Sequence, residues 1–133
     1  MFANPAPDQI RSLLREVNTI AVVGLSPRPE RPSHRVSRAM QGFGYRIVPV
    51  RPAVSEILGE KAYARLSELP FVPDLVDVFR ASDEVAAIVD ECIALGVRRI
   101  WLQDGVIDEA AAARAVAAGI TVVMDRCVWR DYM

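Results

Sequence analysis

Apolar residues follow two alternating patterns along this chain. Largely apolar runs at residues 19–24, 45–50, 75–79, 98–103 and 120–124 have the length of strands. The first is continuous rather than alternating, which predicts a strand buried on both faces, and residues 75–79 read as a further buried strand. Between the runs, apolar residues recur at helical spacing: Ile10, Leu13, Leu14 and Val17, then Val36, Met40 and Phe43, then Val85, Ile88, Val89, Cys92 and Leu95. These stripes, with an alanine-rich stretch, predict helices over residues 7–17, 33–43, 82–95 and 108–118. Pro7 and Asp8 suit a helix start, and Ser33, Ser82 and Asp108 are predicted caps. Gly42 or Gly44, Gly96 and Gly119 supply the stops. Residues 53–70 are less regular and read as a turn at 57–60, a short edge strand at 61–64 and one helical turn at 66–69.

Strands alternating with helices require right-handed crossovers and a mostly parallel sheet. The predicted fold is α/β: one Rossmann-like, doubly wound sheet of about five to six strands, with helices on both faces. A strand order of 3-2-1-4-5-6 fits, with the segment near Lys61 as the third strand. At 133 residues the chain is expected to be a single domain, residues 1–133. Ligands of such sheets sit at the carboxyl ends of the strands, where the strand order reverses. That rule gathers residues 24–26, 80–82, 103–105 and 125–127 around one mouth.

Composition narrows the function. Hydrophobic residues make up 52% and charged residues 25%, the profile of a folded soluble domain. A net charge of −1 argues against nucleic acid or an anionic membrane as partner. No apolar run has membrane-crossing length, and no basic segment leads into an apolar one at the N-terminus, so a cytoplasmic protein is expected. The two cysteines, Cys92 and Cys127, form neither a metal pattern nor a disulfide framework. Reduced thiols are the expectation. Charge is unevenly placed, however. Residues 26–52 hold six arginines (Arg28, Arg31, Arg35, Arg38, Arg46 and Arg51) against Glu30 alone, a formal +5. The balancing acids lie chiefly between Asp74 and Glu91. Because fifteen arginines stand beside the single Lys61, arginine abundance as such reads as genome composition; its local concentration is the signal.

A strand running into Gly24 and a proline-rich loop, and then into a helix, is suited to phosphate, because helix-start N–H groups and the helix dipole favour anions. Arginine adds planar donors that match phosphate oxygens in pairs. The dinucleotide fingerprint is incomplete: Ser26 replaces its second glycine, and Arg51 stands where an acid would hold the ribose hydroxyls of NAD. Arg51 suits NADP or another phosphorylated adenosine, while the chain offers no second domain to place a hydride acceptor. His34, the only histidine, has no partner carboxylate in view and is a poor general base, with a surface or helix-start position expected. Arg35 and Arg38 are expected on the solvated face of their helix. Cys92 lies on an apolar stripe and belongs to the core. Cys127 follows the last strand at the mouth beside Arg126, a setting that suits thiol chemistry with a ligand, although a semi-buried structural thiol is the commoner fate. Trp101 and Trp129 read as packing residues.

Several segments form a specific set: Val23-Gly24-Leu25-Ser26, Arg31-Pro32-Ser33, the run from Gly44 through Pro49-Val50-Arg51-Pro52, Ile57 to Lys61, Val76-Asp77-Val78-Phe79-Arg80, Trp101 to Val106 and Val123 to Cys127. With them the chain resembles the small stand-alone CoA-binding domain family of bacteria, and it is also similar to the nucleotide-binding domain at the N-terminus of the succinyl-CoA synthetase α subunit. The resemblance covers nearly the whole chain. It departs at Arg51, Asp104 and Val128, where asparagine, an apolar residue and proline would be expected.

The resemblance implies that coenzyme A, or an acyl-CoA, lies across the strand ends as the small-molecule partner. Gly24 and Ser26 would approach its diphosphate, with Arg31 and Ser33 at the helix start. Val50, Arg51 and Pro52 would border the adenosine, Phe79 and Arg80 the neighbouring wall, and Gln103 and Gly105 the pantetheine, with Cys127 nearby. The implied function is binding without catalysis. The alternative is an NADP-type module, or a subunit of a CoA ligase whose catalytic domain is on another chain.

Overall fold

The computed structural model describes residues 2–133. In chain order it contains α1 (Pro7–Glu16), β1 (Thr19–Val23), α2 (Pro32–Gly42), β2 (Arg46–Val50), β3 (Glu56–Ile57) and β4 (Glu60–Lys61). There follow β5 (Leu75–Val78), α3 (Val85–Leu95), β6 (Arg99–Leu102), α4 (Glu109–Ala117), β7 (Thr121–Met124) and α5 (Val128–Tyr132). Five strands form one parallel sheet in the order β2-β1-β5-β6-β7. The order reverses between β1 and β5, which is the switch point of a Rossmann-like fold.

The expected third strand is not part of that sheet. β3 and β4 pair with each other as a small antiparallel hairpin. Beyond it only Tyr63 reaches β2, as an isolated parallel bridge to Val50. There Tyr63 N–H donates to the Pro49 carbonyl at 3.0 Å, and Arg51 N–H donates to the Tyr63 carbonyl at 2.8 Å. The physical reason is the pair of prolines, Pro49 and Pro52, which cannot donate to a ladder and so shorten pairing along this edge. At the opposite edge the Asn4 side chain stands in for a strand. Its amide donates to the Met124 carbonyl at 3.0 Å and its oxygen accepts from Met124 N–H at 2.7 Å.

Alternation along the strands builds two cores. On one face Val76, Val78, Ile100 and Leu102 pack under α3 and α4, with Val85, Val89 and Ala112. On the other, Ile20, Val22, Ile47, Leu75 and Trp101 pack under α1, α2 and α5, with Leu13, Met40 and Val128. Both cysteines are free, and Cys92 is completely buried in the first core, where burial pushes its thiol up to about 12. No helix among the described residues is long and apolar enough to cross a membrane.

Two predicted caps do other work. α2 begins at Pro32, one residue before Ser33, and the Ser33 hydroxyl accepts from Ser26 N–H at 2.9 Å, fastening the β1–α2 loop to the helix. Ser82 lies in a 3-10 turn ahead of α3. Its hydroxyl accepts from Ile107 N–H at 2.9 Å and so ties down the β6–α4 loop. Asp108 caps α4 as expected, accepting from Ala111 N–H at 3.0 Å. The short helix α5 was not expected from the sequence.

Candidate functional site

A cleft of about 810 Å³ opens at the carboxyl end of the sheet, above the switch point, between the starts of α2 and α5. Gly24 forms its floor. With φ of 88°, it takes a left-handed backbone that disfavours any side chain. A Cβ there would lie 2.4 Å from the Phe79 carbonyl oxygen and 2.8 Å from Arg80 Cδ, so the ends of β1 and β5 meet with no room for one. Gly24 N–H donates to the Val50 carbonyl at 2.9 Å, locking the turn to β2 as well.

The loop from Ser26 to Arg31 folds over that floor. Besides the Ser33 bond, the Ser26 hydroxyl accepts from Arg28 N–H at 3.1 Å. His34 is buried, and its Nδ1 lies 2.9 Å from the Ser26 carbonyl. A carbonyl only accepts, so the proton sits on Nδ1 and the ring is a structural donor. This settles His34 as a helix-start packing residue rather than a surface one.

Guanidinium groups line one wall: Arg28, Arg31, Arg35 and Arg51, with Arg80 across from them. Arg28 is 3.5 Å from Glu30, and Arg80 pairs with Glu84, which it holds below the usual carboxylate range by hydrogen bonding. Arg31 has no acidic partner among the described residues. Arg35, expected on a solvated face, also reaches the cleft, where it donates to the Glu30 carbonyl.

The far end of the cleft is formed by Gln103, Asp104, Val106, Cys127 and Trp129. Gln103 Oε1 accepts from Val128 N–H at 3.0 Å, which anchors α5 to the end of β6. Arg130 makes a two-pronged ion pair with Asp104 (3.0 and 2.7 Å), and that bond holds the Asp104 carboxyl below its ordinary value. Arg126, expected to influence the Cys127 thiol, is instead engaged by Asp131 at 2.6 and 2.8 Å. Trp101 packs as expected, fully buried with its indole donating to the Arg126 carbonyl at 2.8 Å. Trp129, also read as a packing residue, is 36% exposed and forms part of the cleft wall.

Of the residues singled out from sequence, Gly24, Ser26, Arg31, Ser33, Arg51, Phe79, Arg80, Gln103 and Cys127 converge on this cleft. Val50, Pro52 and Gly105 do not. Successive strand residues point to opposite faces, so Val50 turns into the core beneath α3 while Arg51 turns toward α2. Val50 and Pro52 line a smaller hollow of about 340 Å³ on the α3 side, which shares only Arg80 with the cleft. Gly105 shapes the turn after β6, its N–H donating to Asp125 Oδ1 at 2.7 Å.

Beneath the cleft, on the same face of the sheet, the Asp77 carboxyl in β5 is 1% exposed, and its Oδ1 has no hydrogen-bond partner. Ser37 Oγ on α2 is likewise buried and unpaired. Burial raises the Asp77 carboxyl well above the ordinary range, against a smaller opposing effect from the Val78 backbone. No cluster of His, Cys, Asp and Glu suited to a metal ion occurs among the described residues.

Residues 18–133 match the family described as CoA binding domain. The chain belongs to that family. A Bacillus subtilis relative, "Uncharacterized protein YneT", is 42% identical over 125 residues, spanning 94% of this chain and 93% of its own. A solved Thermus thermophilus structure, "cell-free ID.343", superposes with a TM-score of 0.91 at 35% identity, covering 96% of this chain and 97% of that one. The fold also recurs inside a larger enzyme, the dinucleotide-forming acetyl-coenzyme A synthetase 1 of Ca. Korarchaeum cryptofilum. There the TM-score is 0.73 at 26% identity, with 85% of this chain covering 28% of the enzyme. The fold therefore occurs as a chain of similar length and as one part of a larger protein.

Proposed function

We propose that this CoA-binding domain holds coenzyme A or an acyl-CoA in the strand-end cleft, without catalysis of its own. The observation that carries the reading is the union, in one cleft, of a side-chain-free floor at Gly24 with a guanidinium wall. A diphosphate needs close backbone approach and concentrated positive charge, and the cleft offers both. Its volume of about 810 Å³ suits a cofactor-sized ligand. In this reading Arg31 and the Ser26–Ser33 loop take the diphosphate, and Arg51 takes the phosphate on the adenosine. The pantetheine arm runs toward Gln103 and Cys127. The net charge of −1 supports a small anionic ligand over nucleic acid or a membrane surface, and the free thiols suit the reducing cytoplasm.

Thermal-shift measurements with CoA, dephospho-CoA, NADP and NAD test it. A stabilisation by CoA that shrinks with dephospho-CoA is expected. A shift with NADP and none with CoA would replace CoA by a dinucleotide.

A further inference from the structure

We propose that the far end of the cleft is an acyl subsite selective for a short, uncharged acyl group. The ligand is then an apolar acyl thioester of CoA, rather than free CoA or a thioester whose acyl group ends in a carboxylate. The inference rests on the CoA reading and names the ligand class within it.

The cleft is divided by charge. One wall carries Arg28, Arg31, Arg35 and Arg51, with Arg80 across from them. The far end, beyond the carboxyl ends of β6 and β7, is different. Residues 103–106 and 125–131 hold three acids (Asp104, Asp125 and Asp131) against two arginines (Arg126 and Arg130), a formal −1. Both arginines are already engaged by two bonds each. Arg130 is held by Asp104 at 3.0 and 2.7 Å, and Arg126 by Asp131 at 2.6 and 2.8 Å. A guanidinium in such a two-pronged pair has its planar donor fork occupied. Asp104 itself lines the cleft. A carboxylate brought here would meet that acid and no unpaired guanidinium among these residues, a costly place for a negative charge.

What this end offers is apolar surface, from Val106 and Trp129. Among the described residues, Trp129 is the one exposed large apolar side chain that lines the cleft. Its helix is fixed, by the bond from Val128 N–H to Gln103 Oε1 at 3.0 Å and by the Arg130–Asp104 pair. The backbone that carries the indole is therefore in place before a ligand arrives, which lowers the cost of ordering it. A ligand whose phosphates occupy the arginine wall runs its sulfur end toward this surface. Free CoA stops at the thiol and leaves the indole wet, whereas an apolar acyl group extends over it and removes that surface from water.

Calorimetry of the full chain with CoA, butyryl-CoA and succinyl-CoA tests the inference. The two acyl groups have equal numbers of carbons and differ in ending in a methyl or a carboxylate. Butyryl-CoA is expected to bind about 10-fold tighter than CoA, the effect of covering about two methylene-sized groups. Succinyl-CoA should bind roughly 10-fold or more weakly than butyryl-CoA. Trp129→Ala should bring the ratio of butyryl-CoA to CoA affinity close to one. Asp104→Ala, which leaves Arg130 without its acid, should shift preference toward succinyl-CoA by about 10-fold. Each variant is read as a ratio between two ligands, so a general loss of affinity does not imitate the result. Equal wild-type affinities for CoA and butyryl-CoA, a preference for succinyl-CoA, or an unchanged ratio in Trp129→Ala would overturn the inference and leave the CoA reading standing. If none of the three ligands binds, the CoA reading falls with it.

Discussion

Replacing Gly24 with alanine tests the geometry on which the cleft depends. Two costs follow from its surroundings. A left-handed backbone, φ of 88° at this residue, costs an alanine about 1–2 kcal/mol. The new Cβ would also press on the Phe79 carbonyl oxygen at 2.4 Å, a backbone atom held in place because Phe79 N–H donates to the Val23 carbonyl at 2.9 Å. Relief requires β1 and β5 to spread, an overpacking cost of about 1–3 kcal/mol. Together the substitution should cost about 2–5 kcal/mol, a large part of the roughly 5–15 kcal/mol that stabilises a domain of this kind. Gly105→Ala is the internal control, since that residue has a similar φ of 78° but nothing within 4 Å of an added Cβ. It should incur only the backbone cost. Urea unfolding reads the cost, with the Gly24→Ala midpoint lower than that of wild type by roughly 1–3 M, further than that of Gly105→Ala, and the slope unchanged. Equal midpoints for the two variants would refute the claim that β1 and β5 meet too closely for a side chain.

Asp77→Asn should flatten the pH dependence of stability. The folded chain keeps a proton on Asp77 that the unfolded chain releases above about pH 4, so wild-type stability falls as pH rises, by up to about 1.4 kcal/mol per pH unit until the raised folded value is reached. Urea unfolding at a series of pH values rising from about 4, where the unfolded carboxyl begins to ionise, should show the variant gaining on wild type; parallel profiles would contradict a buried acid whose carboxyl is raised. Arg31→Ala should weaken CoA by about 1–3 kcal/mol, the range for charge-assisted hydrogen bonds, and an unchanged Kd would remove Arg31 from the site. Asp108→Ala should cost about 1 kcal/mol through loss of the α4 cap while leaving CoA affinity unaltered, which thermal unfolding and calorimetry check together.

The sheet was legible because its strands are buried and so read as mostly apolar runs, as at Ile20 to Val23 in β1. The mouth was legible too, since the switch point follows from strand order and places Gly24, Arg80, Gln103 and Cys127 together. What escaped depended on tertiary partners. Ser33 and Ser82 carry cap-like signals, yet their hydroxyls bond to Ser26 and Ile107, contacts that exist only after folding. The edge segment carries strand-like residues, but the donor-poor edge near Pro49 admits only Tyr63. α5 is five residues long, too short for a periodic pattern, and with it went the placement of Trp129 and the Arg130–Asp104 pair. The resemblance implies Val50 and Arg51 side by side at the adenosine, whereas strand alternation sends their side chains to opposite faces.

The claim that matters most is that the cleft above Gly24 is a CoA site whose arginines read the adenosine phosphate. Isothermal titration calorimetry of the full chain with CoA and with dephospho-CoA measures it directly. The account predicts saturable heat with CoA and an affinity for dephospho-CoA weaker by roughly 10-fold or more, the loss of about one charge-assisted contact. Absence of heat with CoA, or equal affinity for the two ligands, would contradict it.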